Sequence, residues 1–213
     1  MLLKPEGIFG GAFDPIHCGH LAVAAYLSTH CPLTKIQFIP CLLPPHRSPL
    51  QASPQHRLAM IRLAIEGHSN WIANDIDFQR PGPSYMVDTL VLLKQRQPQT
   101  PWCLILGMDA FLHFNEWREW QKILTLAHLI VVNRPGFELP HENPLQALLA
   151  HQQIYSSQDL TQSMCGHILL QNIPPSPIAA THIRQRLVSN HPQNDLPPAV
   201  LAYIQHHGLY AKS

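Results

Sequence analysis

Short apolar runs alternate with helical segments along most of the chain, and this alternation restricts the possible folds more than any other feature. Strands are predicted from apolar runs at 7–9, 35–40, 71–78, 102–111, 128–136 and 167–174. Helices are predicted from composition, periodicity or caps at 21–30, 53–68, 84–97, 115–126, 144–155, 181–190 and 196–210. Their predicted caps include Ser53, Ser84 and, at the C-terminal end of the last helix, Gly208. Parallel strands need such crossovers and are buried on both faces. We therefore predict an α/β fold, a Rossmann-like doubly wound parallel sheet flanked by helices, with a small C-terminal helical part.

Length and composition favour one domain. The chain has 213 residues, of which 46% are apolar and only 13% are charged. It can therefore bury a sizeable core, and it lacks the low hydrophobicity and high charge of a disordered chain. We predict a single domain over 1–213, in which 1–175 form the Rossmann-like core and 176–213 form the helical part.

Charge and cysteine content restrict the partners and the location. The formal net charge is only +1, so no general electrostatic field attracts nucleic acid or an anionic membrane. The apolar stretch 123–132 is about half as long as a membrane span. The cysteines form no C-x-x-C pair, which argues against a disulfide framework and a zinc ribbon. We expect no nucleic-acid or membrane partner, and a reducing, cytoplasmic location.

The stretch GGAFDPIHCGH, residues 10–20, joins the first predicted strand to the first predicted helix. Ligands of a doubly wound sheet bind at this carboxyl edge of the strands. Gly10 and Gly11 would let the backbone approach a phosphate in a tight turn, and the helix N-terminus would offer N–H groups and a positive dipole. His17 and His20 could both donate hydrogen bonds to phosphate oxygens.

Two alternatives compete for this stretch. An ordinary tight turn would also use a glycine pair after a strand. A metal site would use the two histidines, but H-C-G-H lacks the spacing and the glutamate of H-E-x-x-H, and no second ligand cluster lies nearby in the sequence. The placement between a strand and a helix favours a phosphate site, and we name no protein metal ligand.

The stretch resembles the G-x-F-D-P-x-H-x-G-H signature of the HIGH-motif nucleotidyltransferases, in which Cys18 occupies a variable position. The second signature of that superfamily, I-S-x-T-x-x-R, is similar to residues 178–184, I-A-A-T-H-I-R. Thr181 and Arg184 match it, whereas Ala179 replaces the serine and removes one hydroxyl donor. The resemblance implies a Rossmann-like fold and nucleotidyl transfer from a nucleoside triphosphate. It also implies three catalytic residues: His17, His20 and Arg184.

Features between the two signatures narrow the resemblance. They are similar to those of the bacterial nicotinate-nucleotide adenylyltransferases at Pro44–Arg47, Pro83–Tyr85, Asp88–Thr89, Gly107–Asp109, Trp117 and Arg134–Gly136. Met86 stands where that family usually has threonine, so that contact is not carried over. The resemblance implies ATP-binding residues at Gly10, Gly11, Phe13, His17, His20, Gly107, Asp109, Thr181 and Arg184. It implies mononucleotide-binding residues at His46, Arg47, Ser84, Tyr85, Thr89, Trp117 and Arg134.

Three of these residues also have ordinary structural interpretations. Trp117 could stack on a flat pyridine ring or could be a half-buried packing residue. Asp109 could bind a ribose hydroxyl or a hydrated Mg²⁺, or it could cap its own turn. Arg134 could meet a phosphate or nucleotide, or it could pair with a carboxylate.

The implied reaction is attack by the 5′-phosphate of nicotinate mononucleotide on the α-phosphorus of ATP. It gives nicotinate adenine dinucleotide and pyrophosphate in NAD biosynthesis, with Mg²⁺ as a cofactor carried mainly by ATP and pyrophosphate. One alternative is a sibling enzyme that uses nicotinamide mononucleotide or another phosphorylated acceptor. Another is a nucleotide-binding regulator without turnover. The sequence leaves open the choice between acid and amide and whether the chain forms a homo-oligomer.

Overall fold

The strands form one parallel sheet. The computed structural model describes residues 2–45, 50–133, 144–174, 178–189, 191 and 194–211. Within these residues the sheet has seven strands: β1 (Glu6–Gly11), β2 (Lys35–Pro40), β3 (Trp71–Ala73), β4 (Trp102–Gly107), β5 (His128–Asn133), β6 (Gln153–Ile154) and β7 (Ile168–Asn172). Their order is β3-β2-β1-β4-β5-β7-β6, and every pairing is parallel. The predicted fold class is confirmed.

Helices connect the strands and cover both faces of the sheet. They are α1 (Cys18–His30), α2 (Pro54–Ala64), α3 (Met86–Arg96), α4 (Met108–Phe111), α5 (Trp120–Leu126), α6 (Leu145–Gln152), α7 (Ala180–Val188) and α8 (Pro198–His206). The described residues also include short 3₁₀ helices at Ile76–Gln79, Phe114–Glu116 and Ser157–Thr161. Among the described residues, no helix is long and apolar enough to cross a membrane.

Two hydrophobic cores lie on opposite faces of the sheet because neighbouring strand residues point to opposite sides. Leu104 of β4 packs in one core with α3, α4, α5 and α6. The next residue, Ile105, packs in the other core with α1, α2, α7 and α8. The helices of the C-terminal part therefore pack on the same face of the sheet as α1.

The chain reverses its direction across the sheet between β1 and β4. It runs from β1 outward to β2 and β3, and then returns to β4 on the other side of β1. Phe9 of β1 pairs with Ile105 of β4, so Gly11 and Gly107 end their strands at the same edge. Such a reversal opens a crevice at the carboxyl ends of the strands, which is the ordinary ligand site of this architecture.

Several element boundaries differ from the predictions. The strand predicted at 71–78 ends at Ala73 and is followed by a 3₁₀ helix, and the run at 102–111 is strand only to Gly107. The helix predicted from 115 begins at Trp120. Ser84 does not cap α3, because Tyr85 is the N-cap and the Ser84 hydroxyl accepts a hydrogen bond from the backbone N–H of Leu42.

The helix predicted at 196–210 ends at His206, and Gly208 follows the C-cap instead of being the C-cap. Gly208 lies just after the C-cap residue His207 and has a φ of +60°. Its N–H donates to the carbonyl of Gln205 at 3.3 Å, and the N–H of Leu209 donates to that of Ile204 at 3.0 Å. This pair of bonds is the Schellman arrangement, in which glycine adopts the left-handed conformation at little cost. The chain therefore turns sharply before Tyr210.

Candidate active site

The loop between β1 and α1 differs from the predicted glycine turn. Gly10 and Gly11 are the last residues of β1, and the left-handed residue of the loop is Phe13, with a φ of +48°. The glycines instead leave room for two neighbouring side chains. A Cβ on Gly10 would lie 2.6 Å from the terminal methyl of Met86, and one on Gly11 would lie 3.3 Å from the Phe13 ring. The small residues let the Met86 side chain and the Phe13 ring pack directly against β1.

The two signature histidines lie together at the N-terminus of α1. Their rings stack with centroids 3.8 Å apart, and the backbone N–H of His17, the N-cap residue, donates to Nδ1 of His20 at 3.3 Å. A neutral ring whose Nδ1 accepts a hydrogen bond carries its proton on Nε2. His17 is buried, whereas His20 is partly exposed and its edge packs on the Phe13 ring. The pair can therefore present N–H donors to an anion at this edge.

The N-terminus of α1 is less open than predicted. The backbone N–H of Cys18 donates to the carbonyl of Asp195 at 2.9 Å, so the segment between α7 and α8 covers one of the donors. Burial, followed by the nearby charge of Asp195, raises the pKa of the Cys18 thiol. That thiol stays protonated at neutral pH, and a protonated thiol is a poor nucleophile.

The second signature meets the first through Arg184. One guanidinium nitrogen, Nη1, donates to the backbone carbonyl of Asp14 at 2.7 Å, and Nη2 lies 3.3 Å from the hydroxyl of Thr181. Ala179 is the N-cap of α7 and has no side-chain hydrogen bond there. This bond joins residues 170 positions apart in the sequence and brings the Arg184 guanidinium to the loop that carries the histidines.

Asp14 is the centre of a buried network that the sequence analysis did not single out. Its carboxylate accepts hydrogen bonds from the backbone N–H groups of Gln51 and Ala52 and from the hydroxyl of Tyr210. Nothing in the local pattern around Tyr210 indicates such a contact. Its partner lies 196 residues away in the sequence.

Arg57 is a second functional candidate that was missed. Its side chain is fully buried, and its guanidinium donates to three backbone carbonyls, those of Ala12, Cys41 and Ala52. Burial lowers its pKa, while the carboxylate of Asp14 acts in the opposite direction. A signal was present, because Arg57 lies on the same helical stripe as the buried residues Met60, Ile61 and Ala64. A charged residue on a buried stripe implies a specific set of partners.

The predicted acceptor side is built around Ser84 and Tyr85. The hydroxyl of Ser84 accepts from the N–H of Leu42 at 2.8 Å, and its own N–H donates to the carbonyl of Leu43 at 2.8 Å. These bonds join the segment before α3 to the loop after β2. The Arg118 guanidinium lies over the Tyr85 ring, 4.8 Å from its centroid. A cavity of about 460 Å³ opens beside them.

Thr89 is buried in a network of its own. Its hydroxyl donates to the Asp77 carboxylate, and the Arg80 guanidinium binds both groups at 2.8 and 2.9 Å. Arg80 also forms an ion pair with Asp88. Thr89 therefore holds the start of α3 in place, and its contact with a substrate stays a prediction.

The remaining predicted residues are placed less tightly. Trp117 is half-buried and packs on Phe114 with ring centroids 5.6 Å apart, so one part of the indole is exposed. Trp117 takes part in none of the described contacts that join the two signatures. His46, Arg47 and Arg134 lie outside the described residues, and their roles stay predictions.

Gly107 and Asp109 lie at the carboxyl end of β4. The Asp109 carboxylate is exposed and folds back over Gly107, where any Cβ would collide with it. Among the described residues, no group of three or more histidine, cysteine or acidic side chains could hold a metal ion. A lone carboxylate at the crevice fits a cation that takes most of its ligands from water and substrate phosphates.

Comparison with known proteins agrees with this geometry. Residues 8–186 match the family described as cytidylyltransferase-like. The chain belongs to this family. The matched range begins in β1 and ends in α7, so it includes both signatures.

Individual relatives in the cytidylyltransferase-like family match nearly the whole chain. A probable nicotinate-nucleotide adenylyltransferase from Coxiella burnetii is 45% identical over 208 residues, which are 96% of this chain and 97% of the relative. One from Aeromonas salmonicida is 37% identical over 211 residues, 99% of each chain. The predicted resemblance to bacterial nicotinate-nucleotide adenylyltransferases is confirmed.

Solved structures also match the architecture. A Plasmodium falciparum nicotinic acid mononucleotide adenylyltransferase complexed with NaAD has a TM-score of 0.75 at 21% identity and covers 97% of both chains. Its complex with APC has a TM-score of 0.72. At this identity the likeness confirms the fold.

Proposed function

We propose that the protein is a nicotinate-nucleotide adenylyltransferase. It transfers AMP from ATP to nicotinate mononucleotide and releases nicotinate adenine dinucleotide and pyrophosphate, as a step of NAD biosynthesis in the cytoplasm. The observation that carries the proposal is the bond from Arg184 to the carbonyl of Asp14, which brings the two signatures together. The names of the curated relatives support the choice of acceptor.

The proposed chemistry relies on alignment and charge stabilisation. The attacking group is a phosphate that is already anionic at neutral pH, so no strong general base is needed. His17 and His20 donate to oxygens around the α-phosphorus, where negative charge accumulates in the transition state. Arg184 stabilises the departing pyrophosphate, because its planar fork of donors matches phosphate oxygens.

Mg²⁺ is part of the proposal as a companion of the substrate. The ion would neutralise the triphosphate and would take its ligands mainly from phosphate and water oxygens. The exposed Asp109 carboxylate lies at the crevice edge, where it could accept a hydrogen bond from a bound water. Removal of Mg²⁺ should stop turnover, whereas a zinc-selective chelator should leave it unchanged.

The acceptor is bound on the Ser84 side in this proposal. Trp117 stacks on the pyridine ring, and the segment at Ser84 and Tyr85 borders the ring and ribose. The bonds between Ser84 and residues Leu42 and Leu43 support this, because they hold the Ser84 segment beside the residues that precede Pro44.

Pyrophosphate release tests the function directly. The purified protein is mixed with ATP, Mg²⁺ and either nicotinate or nicotinamide mononucleotide, and kcat/KM is measured for each. We expect release with both and a clear preference for the acid. A preference for nicotinamide mononucleotide would indicate the sibling enzyme that uses the amide. ATP binding without pyrophosphate release in the presence of either mononucleotide would support a nucleotide-binding regulator.

A further inference from the structure

The ring of Tyr210 occupies an unusual position for a residue beyond a terminal helix. The Schellman turn at Gly208 reverses the chain, and Tyr210 itself adopts a left-handed backbone with a φ of +63°. A bulky residue rarely takes that conformation, so surrounding contacts must hold it. The side chain is 7% exposed and packs in the core shared with α1, α2 and α8.

The Tyr210 hydroxyl is directed at the loop between β1 and α1. It donates to the Asp14 carboxylate at 2.7 Å. Burial, and then this bond, raise the pKa of the phenol, so it stays a neutral donor at every physiological pH. The same carboxylate accepts from the N–H groups of Gln51 and Ala52 at 2.8 and 3.1 Å. Three hydrogen-bond donors therefore hold the Asp14 carboxylate in place.

The other side of Asp14 faces the second signature. Its backbone carbonyl accepts the 2.7 Å bond from Nη1 of Arg184. Arg57 binds the carbonyl of Ala12, two residues earlier, and limits movement of the loop on that side. The position of the Arg184 guanidinium thus depends on a residue whose side chain Tyr210 holds.

We propose that Tyr210 is a positioning residue that acts through Asp14 on Arg184. The hydroxyl holds the Asp14 peptide where its carbonyl aims the guanidinium at the ATP phosphates. The role of Arg184 rests on the proposed function, whereas the coupling rests on two observed hydrogen bonds, from Tyr210 to Asp14 and from Arg184 to Asp14. The competing explanation is that Tyr210 contributes only to the packing of the core.

A double-mutant cycle separates the two explanations, because residues that act as one unit have non-additive effects. Tyr210→Phe removes the hydroxyl and keeps the ring, and it is made alone and in an Arg184→Ala background. ATP affinity is measured by calorimetry in the absence of any acceptor, so the result does not depend on turnover. We expect Tyr210→Phe alone to weaken ATP binding about 5- to 10-fold, which is the scale of one ordinary hydrogen bond. In the Arg184→Ala background we expect a change of less than about 2-fold.

Tyr203→Phe is the matched control. Its hydroxyl also forms one hydrogen bond from the C-terminal part, to Nδ1 of His56 at 2.9 Å, but on the outer side of α2 and α8. We expect unchanged ATP affinity from this variant. Thermal unfolding of all variants shows how much stability each hydroxyl contributes.

Each outcome decides between the explanations. An equal loss of affinity in both backgrounds, or no loss in either, would overturn the positioning role. Suppose that the wild-type protein binds ATP, and that Tyr210→Phe weakens ATP binding only when Arg184 is present, but that no pyrophosphate is released. The positioning role then stands and the proposed function fails. If turnover is observed, Tyr210→Phe should lower kcat and leave KM for the mononucleotide unchanged. A wild-type protein that binds no ATP would overturn both.

Discussion

A backbone hydrogen bond favours one tautomer of His20. Because the backbone N–H of His17 donates to Nδ1, the neutral His20 ring carries its proton on Nε2. The sequence predicted that both histidines face an anion, since the signature and its place between a strand and a helix were visible. The stacking of the two rings could not be predicted, because it depends on the three-dimensional path of the loop.

His20→Ala should lower kcat for pyrophosphate release by about 10²- to 10³-fold, because one preorganised donor to the transition state is lost. ATP affinity should change little. His30→Ala is the control, since His30 is exposed in the last turn of the same helix. Turnover that survives His20→Ala would remove this residue from the catalytic set.

Trp117→Ala should raise KM for nicotinate mononucleotide about 10-fold, as expected when one aromatic stacking contact is lost, with KM for ATP unchanged. Trp120→Ala is the matched control, because both indoles pack on Phe114. We expect both variants to lose stability and only the first to lose acceptor affinity. If both leave KM unchanged, Trp117 is a packing residue.

Elements were predicted more accurately than the contacts between them. The strand at 35–40 and the start of α2, with Ser53 as its cap, agree with the sequence pattern because local propensity and capping decide them. The strand at 71–78 was overestimated, since Asn74 bonds to Gln37 and to the N–H of Ile76 and so ends the ladder. The strand β6 was missed because two residues leave no periodic signal.

Gly208→Ala should reduce the free energy of unfolding by about 1 kcal/mol, because an alanine in the left-handed region is strained. It should also weaken ATP binding, since the turn at Gly208 sets the path to Tyr210. Gly67→Ala is the control. Gly67 also has a positive φ, with no atom within 4 Å of an added Cβ, and it follows α2 instead of α8. Urea unfolding should show that the two variants are destabilised equally. ATP titration should show weaker binding in Gly208→Ala and unchanged binding in Gly67→Ala.

At the scale of the molecule, stability at acidic pH depends on a histidine outside the site. His128 begins β5 and is fully buried. Its Nδ1 accepts from the N–H of His167, and its Nε2 donates to the carbonyl of Ser163. Burial lowers its pKa from 6.5 to about 4, and the nearby charges of His167 and Lys94 act in the same direction.

The unfolded chain therefore binds a proton at His128 before the folded protein does. The stabilisation is complete above pH 6.5 and is lost as the pH falls toward 4. The loss should reach about 3 kcal/mol. Urea unfolding of the wild type at several pH values in this window measures it. His128→Gln should flatten the pH dependence, whereas His151→Gln, at an exposed position, should not. If the unfolding free energy of His128→Gln falls with pH as steeply as that of the wild type, the pH dependence does not come from His128.

The bond between Asp14 and Tyr210 also affects the order of folding. It closes a loop of 196 residues, and the bond from Arg184 closes one of 170. Contacts of such high sequence separation form late, because the entropy of the intervening chain must be lost first. During refolding, helix content should therefore recover before nucleotide binding does. Binding competence then measures the completion of folding, and a partly folded chain would retain much of its secondary structure without holding a nucleotide.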